Sequence, residues 1–284
     1  MREAVAPGLT RSYLVGKVWE ALDEDAADRD VTTAAVVPDD LWAEAELLAG
    51  AGGVVAGMAA AEETFVQVDG DVEFETLAAD GDRVAPGDVL ARVRGRLAAL
   101  LRAERTALNF LQQLSGVATL TRRYVEAAGR SAVLDTRKTV PGLRPLQRMA
   151  VSAGGGVNHR SDLAEAVLVK DNHVAAAGGT AAAVRLARRS GLPVEVEVES
   201  LDELDAALGE GAETVLLDNM SPAQVAEAVR RAAGRAVLEV SGGVTLDTVA
   251  AYAAAGVDRI SVGALTHSAP ALDISMEVRR TWRR

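Results

Sequence analysis

VEVEVESLDELDAALGEGAETVLLDN, residues 194–219, reads as strand, helix and strand. Its first five residues alternate apolar and acidic with the period of a strand, 201–208 is helix-like, and 214–217 is a short apolar run of strand length. Two strands joined by a crossover helix lie parallel in one sheet. The same unit recurs on both sides. Further short apolar strands fall at 132–134, 166–169, 236–240 and 259–262, with helix-like segments at 180–189, 222–233 and 246–255. Such repetition predicts a parallel sheet with helices between its strands, closing as an α/β barrel.

In barrels of this kind the chemistry lies in the loops after the strands. Here those ends are polar: Asp135-Thr136-Arg137-Lys138-Thr139, Lys170-Asp171-Asn172-His173, Glu197 to Ser200, Asp218-Asn219, Ser241-Gly242-Gly243 and Gly263 to His267. Six polar ends on one rim predict a functional mouth. Between 137 and 170 there are six cations (137, 138, 144, 148, 160, 170) and two acids (162, 165). Cations gathered so closely repel one another unless an anion offsets them, so a polyanionic ligand is expected. Gly242, Gly243 and Gly263 follow the last two strands, where bare backbone lets N–H groups approach a phosphate. Glu195, Glu197 and Glu199 share one strand face; with Asp218 one strand later they suit magnesium, which takes carboxylates together with ligand phosphates. A solvated strand face is the competing account, weakened because helices normally cover the strands of a parallel barrel. The three histidines, His159, His173 and His267, match no zinc spacing. His159, between Asn158 and Arg160, is expected to touch the anion rather than to be buried and satisfied.

The whole chain carries a formal charge of −11, which argues against the broad basic face a non-specific nucleic-acid binder needs. It has no cysteine, excluding disulfides, thiolate metal sites and a Cys nucleophile, and fitting a cytoplasmic protein. The N-terminus shows no leader pattern, and the apolar stretch 47–61 is too short and Gly-rich to span a bilayer, so a soluble protein without membrane partners is expected. With aromatics at 3%, Ala, Val and Leu must build the core.

The first hundred residues mix element types: a helix over 12–22, strands at 44–48 and 72–77, and a hairpin over 79–93 punctuated by Asp80-Gly81 and Pro86-Gly87. That hairpin is similar to those of lipoyl carriers but lacks the turn lysine, so its role is structural. A long helix runs from Leu97 to about Ala128, with Gly116 as a candidate break. The expected division is a mixed α/β domain over 1–107 and a barrel over 108–268, with 269–284 as a segment that joins the first.

The runs ERTALNFLQQLSGVAT (104–119), DTRKTVPGLRPLQRMAV (135–151), GGGVNHRSDL (154–163), VKDNH (169–173), VEVEVES (194–200), LLDN (216–219) and EVSGG (239–243) resemble those of quinolinate phosphoribosyltransferases, in that family's order and over most of the chain. The resemblance implies a mixed α/β N-terminal domain followed by an incomplete parallel α/β barrel, type II phosphoribosyltransferase-like, assembled as a homodimer or larger with shared active sites. It implies transfer from phosphoribosyl pyrophosphate to quinolinate with decarboxylation, giving nicotinate mononucleotide for NAD biosynthesis. Arg105 would reach quinolinate across the subunit interface. Arg137, Lys138, His159, Arg160 and Lys170 would line the pocket for the dicarboxylate and pyrophosphate, with His267 at the rim. Glu197 and Asp218 would hold the ribose hydroxyls and magnesium, Glu195 and Glu199 remaining candidates, and Ser241, Gly242, Gly243 and Gly263 would cradle the 5-phosphate. Lys138, Lys170, Glu197 and Asp218 are the expected catalytic set. Departures are Arg29 before Asp30-Val31-Thr32-Thr33, Arg148-Met149 for a frequent Lys-Tyr, and Ser152-Ala153 for a basic-Cys pair. Rival readings are a same-fold paralogue with another acceptor, a barrel lyase forming a Schiff base at Lys170, and a non-catalytic phosphate binder.

Overall fold

In the computed structural model of the protein, residues 4–6 and 9–284 are described, so part of the N-terminal stretch read for a leader lies outside the described residues. The chain forms two compact units, one of 1–120, 141–155 and 269–284, the other of 121–140 and 156–268.

The first unit is built on an antiparallel sheet ordered Ile274–Arg283, Leu41–Ala49, Val89–Arg96, Glu73–Thr76. Strand periodicity sorts its residues. Ala43, Ala45, Leu47 and Ala49 point into the core, while Glu44 and Glu46 meet Arg280, Arg92 and Arg279 on the outer face. Those exposed pairs contribute little, because water and salt screen them. Burial of the apolar face stabilises far more, roughly 1.5–3 kcal/mol per large side chain. Against that face lie Phe65 from the helix Met58–Val68 and Leu100, Ala103, Ala107, Leu108 and Leu111 from the helix Leu97–Ala128. Their spacing of three and four is one helical stripe.

Two local expectations are corrected here. The segment 79–93 is not a hairpin of two mutually paired strands. Its two turns are closed by Asp82 and Asp88, whose carboxylates accept the N–H groups of Ala79 and Ala85. Between them Arg83–Val84 pairs with Gly53–Val54, while Val89–Arg96 joins the main sheet. Gly116 does not break the long helix. A Cβ there would overlap the carbonyl oxygen of Pro270, so the glycine admits the returning C-terminal chain.

The second unit contains six strands: β1 (Ala132–Leu134), β2 (Val167–Val169), β3 (Val194–Val198), β4 (Thr214–Asp218), β5 (Val237–Ser241) and β6 (Arg259–Ser261). All are parallel, in the order β1-β6-β5-β4-β3-β2. Returning β1 beside β6 is the wrap of a barrel. The β1 and β2 edges stay unpaired with each other, leaving the barrel incomplete. Along the β1 edge Val157 donates its N–H to Val133 O at 2.8 Å. The crossover helices begin on polar caps: Ser200 Oγ accepts from Glu203 N, and Ser221 forms a capping box with Gln224. The helix expected over 246–255 starts at Val249, because Thr245 and Thr248 bond each other in a preceding turn. Among the described residues no helix is long and apolar enough to cross a membrane.

Candidate active site

The second unit carries two groups of polar side chains, an outer one at its strand ends and an inner one within and beside the sheet. In the outer layer Lys170, immediately after β2, directs Nζ to Glu197 Oε2 at 2.5 Å. The Glu197 side chain, on β3, is only 11% exposed. Asp218 ends β4. Its carboxyl is raised above the ordinary carboxylate range, first by burial and then by the Glu197 charge, with Glu199 adding to this and Lys170 and Lys138 opposing it. Five charged groups from four strand ends therefore act on one another here.

Lys138 is held by its backbone. Its N–H donates to Thr136 Oγ1 at 3.0 Å and its carbonyl accepts from Thr266 Oγ1 at 2.8 Å. Its side chain passes beside Gly263, where a Cβ would stand 3.2 Å from Lys138 Cδ and 3.1 Å from His267 Nε2. Asn219, in the left-handed region at φ 55°, donates from Nδ2 to Asp218 Oδ2 at 2.6 Å. Its side-chain oxygen fills the space a Gly242 Cβ would need, and Gly242 itself has φ 92°. Close approach and positive φ both require glycine there.

The inner layer holds Arg137, His159, Arg160, Glu195 and Glu239. Burial and the Arg137 cation both lower the pKa of the Arg160 guanidinium, and Arg160 Nε is buried without a hydrogen-bond partner. Two guanidiniums in such proximity form a pocket suited to an anion. His159 is engaged within the protein. Its Nδ1 accepts the Arg160 N–H at 2.8 Å and its Nε2 lies 2.9 Å from Glu195 Oε2, so both ring nitrogens are engaged within the protein. Burial lowers the His159 pKa, but the hydrogen bond to Glu195 and the Glu239 carboxylate outweigh it, and the net shift is upward.

Arg137, Lys138, His159, Arg160, Lys170, Glu197, Asp218, Ser241, Gly242, Gly243, Gly263 and His267 all belong to the second unit. Three other cations belong to the first unit: Arg105, exposed on the long helix, and Arg144 and Arg148 on the helix Arg144–Ala153. Of the three strand-face carboxylates, Glu195 turns to the inner layer, Glu197 meets Lys170, and Glu199 is exposed. Four participants had no individual role assigned from sequence: Asn219, Thr266 and Asp135, which stood only among the polar strand ends, and Glu239; Asp135 Oδ1 accepts the His159 N–H at 2.7 Å. Glu239 had a readable signal, an acid within the otherwise apolar run of a strand covered on both faces.

An open parallel α/β barrel with cations, carboxylates and glycine turns gathered at its carboxyl ends defines a class of anion-handling barrel enzymes. The chain belongs within that class to the quinolinate phosphoribosyltransferase family. The model of the quinolinate phosphoribosyl transferase N-terminal domain matches residues 30–115, and that of its C-terminal domain matches 117–277. A chloroplastic nicotinate-nucleotide pyrophosphorylase [carboxylating] of Oryza sativa subsp. japonica is 41% identical over 300 residues, covering 98% of this chain and 81% of the rice protein. The Mycobacterium leprae nicotinate-nucleotide pyrophosphorylase is 44% identical over 271 residues, covering 92% and 95%. Among solved structures, the nicotinate-nucleotide pyrophosphorylase from Francisella tularensis superposes with a TM-score of 0.91 at 39% identity, covering 94% of this chain and 96% of that one.

Proposed function

We propose that the protein transfers the phosphoribosyl group of phosphoribosyl pyrophosphate to quinolinate with loss of carbon dioxide, giving nicotinate mononucleotide and pyrophosphate in NAD biosynthesis. The observation that carries this reading is the meeting of Lys138, Lys170, Glu197 and Asp218 beside the glycine turns at Gly242 and Gly263. That set offers cations for a pyrophosphate, carboxylates for ribose hydroxyls and bare backbone for a 5-phosphate.

Lys138 and Lys170 take up the charge of departing pyrophosphate, an electrostatic contribution largest where water is excluded. As the bond from ribose carbon 1 to pyrophosphate breaks, that carbon becomes oxocarbenium-like, and the Glu197 and Asp218 carboxylates stabilise the positive centre. The quinolinate ring nitrogen then bonds to carbon 1, held in line by guanidiniums of Arg137 and Arg160, and by Arg105 across a subunit interface. The carboxylate at ring carbon 2 leaves as carbon dioxide, its bonding electrons stabilised by the cationic ring nitrogen, and carbon 2 takes up a proton. Glu197 and Asp218 also fit magnesium: they are hard oxygen donors whose mutual repulsion a cation relieves, and one or two carboxylates with substrate phosphates are its usual ligands. When bound, it supplies charge neutralisation at the pyrophosphate. The same reading makes the protein a cytoplasmic homodimer or larger assembly.

A coupled assay with quinolinate, phosphoribosyl pyrophosphate and magnesium should release pyrophosphate and carbon dioxide. Turnover of nicotinate with none of quinolinate would instead identify a paralogue with another acceptor. A Schiff-base role for Lys170 finds no support, because that lysine is half-exposed and paired with a carboxylate rather than sunk in apolar surroundings. Borohydride should therefore trap no adduct.

A further inference from the structure

We infer that Glu195 and Glu239 are positioning residues, holding the His159 imidazole so that it fixes Arg160 on the open edge of the barrel. This rests on the reading above, in which Arg160 grips a quinolinate carboxylate.

The segment 157–160 lies outside any strand or helix, so its backbone must be held by other means. Val157 bridges the β1 edge, and the Asp135 carboxylate accepts the His159 N–H. The His159 ring then reaches inward, its Nε2 2.9 Å from Glu195 and 3.5 Å from Glu239. Behind it Ser261 Oγ donates to Glu239 Oε1. On the other side Nδ1 accepts the Arg160 N–H, so a neutral ring carries its proton on Nε2 and donates it to Glu195. Imidazole and carboxylates together form a strut from the core of the sheet to the backbone of Arg160.

Stability does not account for the arrangement. Glu239 is fully buried and Glu195 is 9% exposed, yet Glu195 Oε1 and Glu239 Oε2 have no hydrogen-bond partner. Each buried polar atom left so is destabilising, and apolar residues of similar volume often serve a core as well or better. The cost is intelligible if the carboxylates fix a conformation. A metal site is the competing account, since donor atoms of His159, Glu195 and Glu239 lie within 4.8 Å of one another. The hydrogen bonding argues against it. A neutral imidazole accepting at Nδ1 has no lone pair on Nε2 for a cation.

Steady-state kinetics of the intact enzyme test the inference. Arg160→Ala should raise the quinolinate KM at least about tenfold while leaving that for phosphoribosyl pyrophosphate within about twofold. Glu195→Leu, which removes the acceptor, should reproduce that split, and Glu195→Gln, which keeps an acceptor oxygen, should restore the quinolinate KM to within about threefold of wild type. A folded Glu195→Leu with a wild-type quinolinate KM, beside an impaired Arg160→Ala, overturns the positioning role. An unimpaired Arg160→Ala instead overturns the assignment of Arg160 beneath it. Nitrogen-15 NMR of histidine-labelled wild type needs no variant: the neutral His159 ring should carry its proton on Nε2, and a proton on Nδ1 with bare Nε2 sinks the inference.

Discussion

Burial and the neighbouring Glu195 charge raise the Glu239 carboxyl to about 7. The other groups bearing on it are His159 and Arg259, with Ser261 donating a hydrogen bond. An unfolded glutamate ionises near 4.5, so between about 4.5 and 7 the folded chain retains a proton that the unfolded chain has released, and stability falls as pH rises through that window. The loss is complete above about 7 and is on the order of 3 kcal/mol. Glu239→Gln cannot ionise and escapes it. Its melting temperature relative to wild type should be higher at pH 8 than at pH 5, and a pH-independent difference would show that Glu239 does not titrate in this range. In the outer layer, Lys138→Ala should lower kcat by at least roughly 100-fold, the scale of losing one preorganised electrostatic contact; near-normal turnover would remove Lys138 from the reacting centre. The identity of these side chains could be read from their polar strand ends. Their pairings could not: alternation alone puts Glu195, Glu197 and Glu199 on one strand face, and only the three-dimensional contacts send the first inward, the second to Lys170 and the third to solvent.

Among the elements, the helix Leu97–Ala128 and the turn after β5 depend on glycine for opposite reasons. Helix propensity alone predicts that Gly116→Ala stabilises the chain by about 1 kcal/mol. The added methyl would overlap Pro270 O, a backbone atom that cannot rotate away, and overpacking costs roughly 1–3 kcal/mol. The second effect should win, so chemical denaturation should show a net loss of stability with unchanged helical circular dichroism. Gly242→Ala meets both a positive φ and the Asn219 side chain, and should raise the KM for phosphoribosyl pyrophosphate more than that for quinolinate. Equal effects on the two would detach this turn from the 5-phosphate. The strands and helices of the second unit were legible because each is a short periodic run ended by a polar or glycine turn. The segment 79–93 misled because two aspartate-closed turns in succession mimic a hairpin, while the choice of strand partner is a long-range matter.

For the whole molecule, the proposal that active sites are shared between subunits leads to a complementation test. Arg105→Ala should impair quinolinate use and Lys138→Ala turnover, each nearly silent alone. If Arg105 acts across an interface, unfolding and refolding the two variants together should form hybrid dimers in which one site has both residues intact. Random pairing then restores about a quarter of wild-type activity. No recovery, with hybrids detected by native mass spectrometry, would place Arg105 and Lys138 in the same subunit's site.

Alternation and spacing in the chain itself determined the parallel strand–helix repeat, the polar strand ends and the pool of cations and carboxylates, because those are local periodicities set by the strand and helix repeats. Tertiary structure decided what local pattern cannot encode. It kept the long helix continuous at Gly116 to admit residues 270–271, sent Arg144 and Arg148 to one unit and Arg160 to the other, and engaged both ring nitrogens of His159 within the protein. The physical reason is that each outcome depends on a neighbour far along the chain, such as Pro270 for Gly116 and Glu195 for His159, whose approach is fixed only when the sheets and helices pack.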